Sequence, residues 1–224
     1  MNLRIFESLD DLTAAAARAI VQHAKGEPIS IALSGGSTPK PLYQALGSAP
    51  LRDELAKTPI TWVVVDERFV PESDPQSNSK MIRETLFANG ISEGHRFLRF
   101  RTELGEPHVC AEAFAREWRE LGLQQLDLCT LGMGDDGHTA SLFPGTEALT
   151  ATGIATAVFV PKLDMWRVTI TKDVIRDAKE RYILATGEKK KPVIERVKLG
   201  SEDPIAQVTK GLDATWWFVD RAAV

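Results

Sequence analysis

Thr61-Trp62-Val63-Val64-Val65, followed at once by Asp66-Glu67-Arg68, sets the architecture. Five β-branched and aromatic residues run together before the chain turns charged. A strand with one wet face alternates apolar and polar residues. An unbroken run suits a strand covered on both faces, as in a parallel sheet between helices. Related runs lie at Leu3–Phe6, Ile29–Leu33 and Leu126–Leu131, and later at 156–160, 167–171, 181–186 and 215–219. Helical patterns separate them. Ser8 to Lys25 reads as a helix, with Ser8 as cap and Gly26 at its end. Pro39 opens a short helix carrying Leu42, Tyr43 and Leu46. Another helix fits Lys80 to Ala88. Cys110, Phe114, Trp118 and Leu121 recur at helical spacing, and further helices fit Lys172–Ala178 and Lys191–Lys198. Alternating strands and helices predict an α/β fold, Rossmann-like, in three α/β/α layers with a mostly parallel sheet. No repeat or linker divides the chain, so one domain over residues 1–224 is expected.

Composition narrows the function. The 224 residues carry 27 Lys+Arg against 31 Asp+Glu, a net charge of −4. A nucleic-acid binder needs a basic face to displace counterions, so no nucleic-acid partner is expected. Cys110 and Cys129 lack a CxxC spacing and read as small buried hydrophobes. No apolar run is long enough for a membrane span, and the first residues resemble no leader. A cytoplasmic protein with a small-molecule substrate, no membrane partner and a monomeric state is the expectation.

Ligands of such sheets bind beyond the carboxyl ends of the strands. The loops there are therefore the candidate sites. After Leu33 comes Ser34-Gly35-Gly36-Ser37-Thr38, ending at a helix start. Small residues, hydroxyls and free N–H groups suit an anion such as phosphate, although a plain helix-capping turn has the same composition. GxxxxGK[ST] is absent. The S-x-x-K pattern occurs twice, at Ser37–Lys40 and Ser77–Lys80, without its companion motifs, so it marks no nucleophile. Asp66, Glu67 and Arg68 follow the next strand and read as a loop. They suit acid/base work or substrate orientation, or else a surface ion pair.

The loop after Leu131 is Gly132-Met133-Gly134-Asp135-Asp136-Gly137-His138. It spells G-x-G-x-x-G, the dinucleotide fingerprint. Asp135 and Asp136 would repel a pyrophosphate, and little helix can follow before Phe143-Pro144. No dinucleotide and no other cofactor is expected, and no zinc-type ligand spacing is present. The loop instead suits a histidine base. Its glycines hold His138 at the sheet edge, with Asp136 placed to orient the imidazole. His23, His95 and His108 lack that setting and read as ordinary surface or core histidines. Arg167 and Lys190, at or after later strands, are basic groups able to reach a phosphate.

Together, Ser34–Pro39, Asp66–Arg68, the long block Gly132–Gly145 and Thr186–Lys190 resemble the glucosamine-6-phosphate isomerase/6-phosphogluconolactonase family, in particular its lactonases. The resemblance covers nearly the whole chain. It implies hydrolysis of 6-phospho-D-glucono-1,5-lactone, with His138 as base, Asp136 as its partner and Arg68 as a residue needed for activity. It also implies that Ser34–Thr38, Arg167 and Lys190 hold the sugar phosphate. The deaminase branch places a glutamate five residues after the histidine, where this chain has Phe143. It also has Asp-Glu-Tyr in place of Asp66-Glu67-Arg68. A deaminase-like enzyme and a non-catalytic sugar-phosphate sensor are the alternatives. The sensor needs a DNA-binding module, and the first residues run straight into the α/β pattern. Arg68, Arg167, Lys190 and the helix start after Gly36 together predict a local basic pocket within an acidic protein, with Asp136 as its acidic exception.

Overall fold

The computed structural model describes residues 1–224. Seven parallel strands form the main sheet: β1 (Asn2–Phe6), β2 (Ile29–Leu33), β3 (Ile60–Val64), β5 (Arg96–Leu98), β6 (Leu128–Gly132), β9 (Glu180–Ala185) and β10 (Thr215–Asp220). Their order is β1-β10-β9-β6-β2-β3-β5. A second, antiparallel sheet has the order β4-β8-β7, from β4 (Asp66–Arg68), β7 (Ala155–Val160) and β8 (Met165–Ile170). The helices are α1 (Leu9–His23), α2 (Lys40–Leu46), α3 (Leu51–Leu55), α4 (Asn78–Thr85), α5 (Pro107–Glu120), α6 (Lys172–Asp177), α7 (Lys191–Lys198) and α8 (Pro204–Thr209).

The unbroken run behaves as its composition requires. Trp62, Val63, Val64 and Val65 are fully buried. They belong to one hydrophobic cluster of 54 buried residues that runs through both sheets. Ser8 caps α1 by accepting from the Asp11 N–H at 3.1 Å, as its place before the helix predicts. Leu42, Tyr43 and Leu46 all point inward from α2.

Three features differ from the sequence reading. Asp66, Glu67 and Arg68 form strand β4 rather than a loop, and Asp66 and Glu67 are buried rather than a surface ion pair. The strands read at 156–160 and 167–171 lie outside the main sheet: they pair with each other, and the second of them pairs with β4. Periodicity reports how many faces of a strand are covered, not which strand it pairs with. The elements α3, α8 and β5 are too short to show a period of their own.

The order of the main sheet reverses between β2 and β6. From β2 the chain proceeds to β3 and β5 on one side. From β6 it proceeds to β9 and β10 on the other. Connections leaving these neighbours diverge and open a crevice at their carboxyl ends, where open α/β sheets bind ligands. The loops after β2 and β6 are Ser34–Pro39 and Met133–Gly145.

Candidate active site

A cleft of about 200 Å³ occupies that crevice. Its walls include Ser34, Gly35, Gly36, Ser37 and Thr38 after β2, and Asp66 and Arg68 from β4. They also include His138 after β6, Arg167 from β8 and Lys190 after β9. Five stretches distant in sequence thus converge, and of the residues expected at the site all but Glu67 and Asp136 line the cleft. Asp136 stands behind His138.

His138 is held from three sides. Its Nδ1 lies 2.5 Å from Asp136 Oδ1, and its backbone N–H donates to the same oxygen at 3.1 Å. A carboxylate only accepts, so Nδ1 carries the proton and Nε2 is left with a free lone pair. Phe143 stacks on the imidazole with ring centroids 4.1 Å apart. Gly134 passes so close that a Cβ there would lie 2.1 Å from His138 Nδ1. The loop closes through the Gly134 N–H, which donates to the His138 carbonyl at 2.8 Å. Burial pushes the imidazole pKa down to about 4, with Asp66 opposing that shift and Arg167 and Lys190 adding to it. The ring is therefore neutral at pH 7, the state a general base requires. We expect the His138 Cε1–H resonance to titrate nearer 4 than the ordinary 6.5. A midpoint above 6.5 would show that the carboxylates outweigh burial.

The small sheet sets the cationic wall. Its register puts Arg68 directly opposite Arg167. Like charges directly opposite destabilise a strand pair. The Nε atoms of both arginines are buried without a partner. Arg68 Nη1 donates to the Gln76 carbonyl at 2.6 Å, and Arg167 Nη1 lies 3.8 Å from Asp66 Oδ2. Two facing guanidiniums with unspent donors make a site suited to an anionic or carbonyl oxygen.

The stretch Ser34–Thr38 brings no side-chain cation to the cleft. Gly35 approaches Asn78 so closely that a Cβ would sit 1.9 Å from Asn78 Oδ1. Asn78, which also lines the cleft, donates to the Asp66 carbonyl at 2.6 Å. The Ser34 hydroxyl is buried without a partner, and Thr38 meets Thr186 hydroxyl to hydroxyl at 3.1 Å. Lys190 reaches the cleft but is paired with Asp135 at 2.6 Å. The cleft thus holds Asp66, itself an expected site residue, beside Arg68 and Arg167, and its lysine already carries a carboxylate.

Glu67 belongs to the scaffold. Its Oε1 accepts from the N–H groups of Asn78 and Arg68 at 2.7 and 3.0 Å. Its Oε2 accepts from the Ser79 N–H at 2.8 Å and the Ser77 hydroxyl at 3.2 Å. A buried carboxylate thus ties β4 to the start of α4. Burial raises its pKa, and the Asn78 and Ser79 N–H groups oppose that rise. In Glu67→Gln one acceptor becomes an NH₂ facing N–H donors. We expect a loss of about 2 kcal/mol in urea unfolding, from buried hydrogen bonds left unmade. A loss below about 0.5 kcal/mol would show that the tie is dispensable.

Several participants escaped sequence reading. Lys162 is ion-paired with Asp136 Oδ2. Ser141 donates to Asp66 Oδ2 at 2.6 Å. Asn78 and the stacking role of Phe143 were likewise not foreseen. No spacing rule flags Lys162, Ser141 or Asn78, because each has its partner on a different element, and the Phe143 stack depends on how the loop after β6 folds back on itself. Of the histidines read as ordinary, His95 has a structural role. It accepts from Trp62 Nε1 at 3.1 Å, and its Nε2 faces the carbonyls of Leu55 and Thr58. His108 lies edge-on to Trp166, with ring centroids 5.4 Å apart.

An α/β sheet with an anion-suited cleft at its reversal point and a carboxylate-oriented histidine defines a class of small-molecule enzyme. Residues 5–217 match the family described as glucosamine-6-phosphate isomerases/6-phosphogluconolactonase, and the chain belongs to it. A 6-phosphogluconolactonase of Haemophilus influenzae is 31% identical over 210 residues, covering 92% of this chain and 90% of that protein. The structure of 6-phosphogluconolactonase from Trypanosoma brucei superposes with a TM-score of 0.83 at 27% identity, covering 99% of this chain and 97% of that one. A monomeric glucosamine-6-phosphate deaminase shares the fold, with a TM-score of 0.85 at 20% identity, covering 100% and 98% of the two chains. No helix is long and apolar enough to cross a membrane.

Proposed function

We propose that this chain hydrolyses 6-phospho-D-glucono-1,5-lactone to 6-phosphogluconate, with His138 as general base. The observation that carries the mechanism is the Asp136–His138 pair at 2.5 Å, which leaves Nε2 free as an acceptor. Lactonase activity is supported by the relatives named for it over most of the chain.

In this reading neutral His138 takes a proton from water, and the resulting hydroxide attacks the lactone carbonyl. The carbonyl π electrons move to oxygen. Arg68 and Arg167, with their unspent Nε donors, balance the oxyanion or hold an anionic group of the sugar. Asp136 stabilises the imidazolium. Collapse of the intermediate breaks the ring C–O bond, and His138 returns its proton to the departing ring oxygen. The leaving group stays tethered, so no separate amine-expelling relay is needed. Ser34, Gly35, Gly36, Ser37, Thr38 and Lys190 are assigned to the sugar and its phosphate, with Asp66 orienting Arg167. A phosphate would compete with Asp135 for Lys190.

The deaminase alternative needs an acid where Phe143 stands. Phe143 is 2% exposed and packed against the imidazole, so that position supplies no titrating group. The deciding experiment measures acid release from fresh 6-phosphogluconolactone above the spontaneous rate, beside ammonia release from glucosamine-6-phosphate. Acid release alone is expected. Ammonia release without lactone turnover would overturn the assignment.

A further inference from the structure

Lys162, whose ammonium pairs with Asp136, lies outside every motif that pointed to the cleft. Lys162 sits in the Pro161–Leu163 turn at the tip of the β7–β8 hairpin. The next residue, Asp164, takes the left-handed conformation with φ +46°, which closes the turn. The hairpin belongs to the small sheet, whereas Asp136 belongs to the loop of the main sheet. The ammonium meets Asp136 at Oδ2, while Oδ1 binds the His138 ring. It also lies 4.8 Å from the centroid of Phe143, the ring stacked on His138. Lys162 thus reaches the imidazole by two routes, one through a carboxylate and one through an aromatic face.

We propose that Lys162 is a positioning residue that pins Asp136 against His138 and offsets its charge, so that the imidazole is oriented while the carboxylate's pull toward imidazolium is reduced. This rests on His138 being the base. An isolated carboxylate at 2.5 Å would orient the ring but would also stabilise imidazolium in the resting enzyme. A lysine on the far oxygen keeps the orientation and reduces that pull. Lys162 itself is not among the residues that line the cleft.

The other charges facing His138 come from separate elements: Asp66 on β4, Arg167 on β8, Lys190 after β9, and Asp135 in the histidine's own loop. Carboxylates and cations both occur in that set. Removing Lys162 leaves Asp136 as an added uncompensated anion, and the sign follows: the imidazole pKa must rise. The side chain of Lys162 is half exposed, so the fold should tolerate its removal.

The test follows the His138 Cε1–H resonance across pH in wild type, Lys162→Met and Lys162→Arg, with thermal melts to confirm folding. The signal is assigned by its loss in His138→Gln. We expect the midpoint to rise by about 1 pH unit in Lys162→Met, as for loss of a nearby positive charge, and to return near wild type in Lys162→Arg. A midpoint unchanged or lowered in Lys162→Met, or equal in the two variants, overturns the proposal. The readout needs no substrate. Failure of wild type to hydrolyse the lactone would refute the proposed function and still leave the role of Lys162 decided.

Discussion

Replacing His138 with alanine is expected to lower kcat/KM on 6-phosphogluconolactone by about 10²- to 10⁴-fold, the usual range for a lost general base. The rate is measured on fresh lactone after subtracting its spontaneous hydrolysis. Thermal melting and far-UV dichroism should stay close to wild type. The ring lies at the cleft wall rather than in the core, and what it leaves behind is the face of Phe143 and one oxygen of Asp136. A variant with more than half of the wild-type rate would remove His138 from the mechanism. Glutamine in its place keeps a hydrogen-bonding group near Asp136 but supplies no base, so it should fall in the same range.

The second large effect comes from a residue with no side chain. Gly134→Ala places a methyl group 2.1 Å from His138 Nδ1 and 2.7 Å from Asp136 Oδ1. Both atoms belong to the pair that orients the imidazole, so either the ring or the loop must move. A displacement of about 1 Å at a reacting group costs about 10²-fold in rate. We expect kcat to fall by about that factor. KM should change little, because the arginines and the Ser34–Thr38 loop are untouched. A folded Gly134→Ala enzyme with unchanged kcat would show that the Asp136–His138 geometry does not govern turnover. A rise in KM alone would place Gly134 in substrate binding instead.

These two predictions differ in what made them legible. His138 and Asp136 stand two residues apart in one loop, so spacing alone could join them. The strand runs and the small, hydroxyl-bearing loop after Leu33 could also be read directly. Each is a local pattern, and burial on two faces or a turn without side chains leaves its mark within a few residues. The clash at Gly134 could not be read, because it depends on how the loop curls back so that its N–H meets the His138 carbonyl. Asp66–Arg68 shows the limit most clearly. Its charge suggested a loop, yet its backbone forms a strand. Tertiary partners that satisfy its carboxylates, Ser141 for Asp66 and the start of α4 for Glu67, overrode the local preference.

The chain's local patterns alone carry the alternation of longer strands and helices, the mostly parallel sheet, the small-residue loops after Leu33 and Leu131 and the histidine set among glycines, but not β4, β5, α3 or α8. Periodicity, turn residues and short spacings encode the features so carried, and all act along a few residues of chain. Long-range packing, by contrast, sets β4, β7 and β8 apart as an antiparallel sheet and puts Arg68 opposite Arg167 across it. The same packing brings Lys162 to Asp136, 26 residues away, and Lys190 to Asp135, 55 residues away. Ion pairs of that kind are chosen by which loops the reversed sheet order brings to one crevice. That choice comes from the packing of a whole core, and no local stretch contains it.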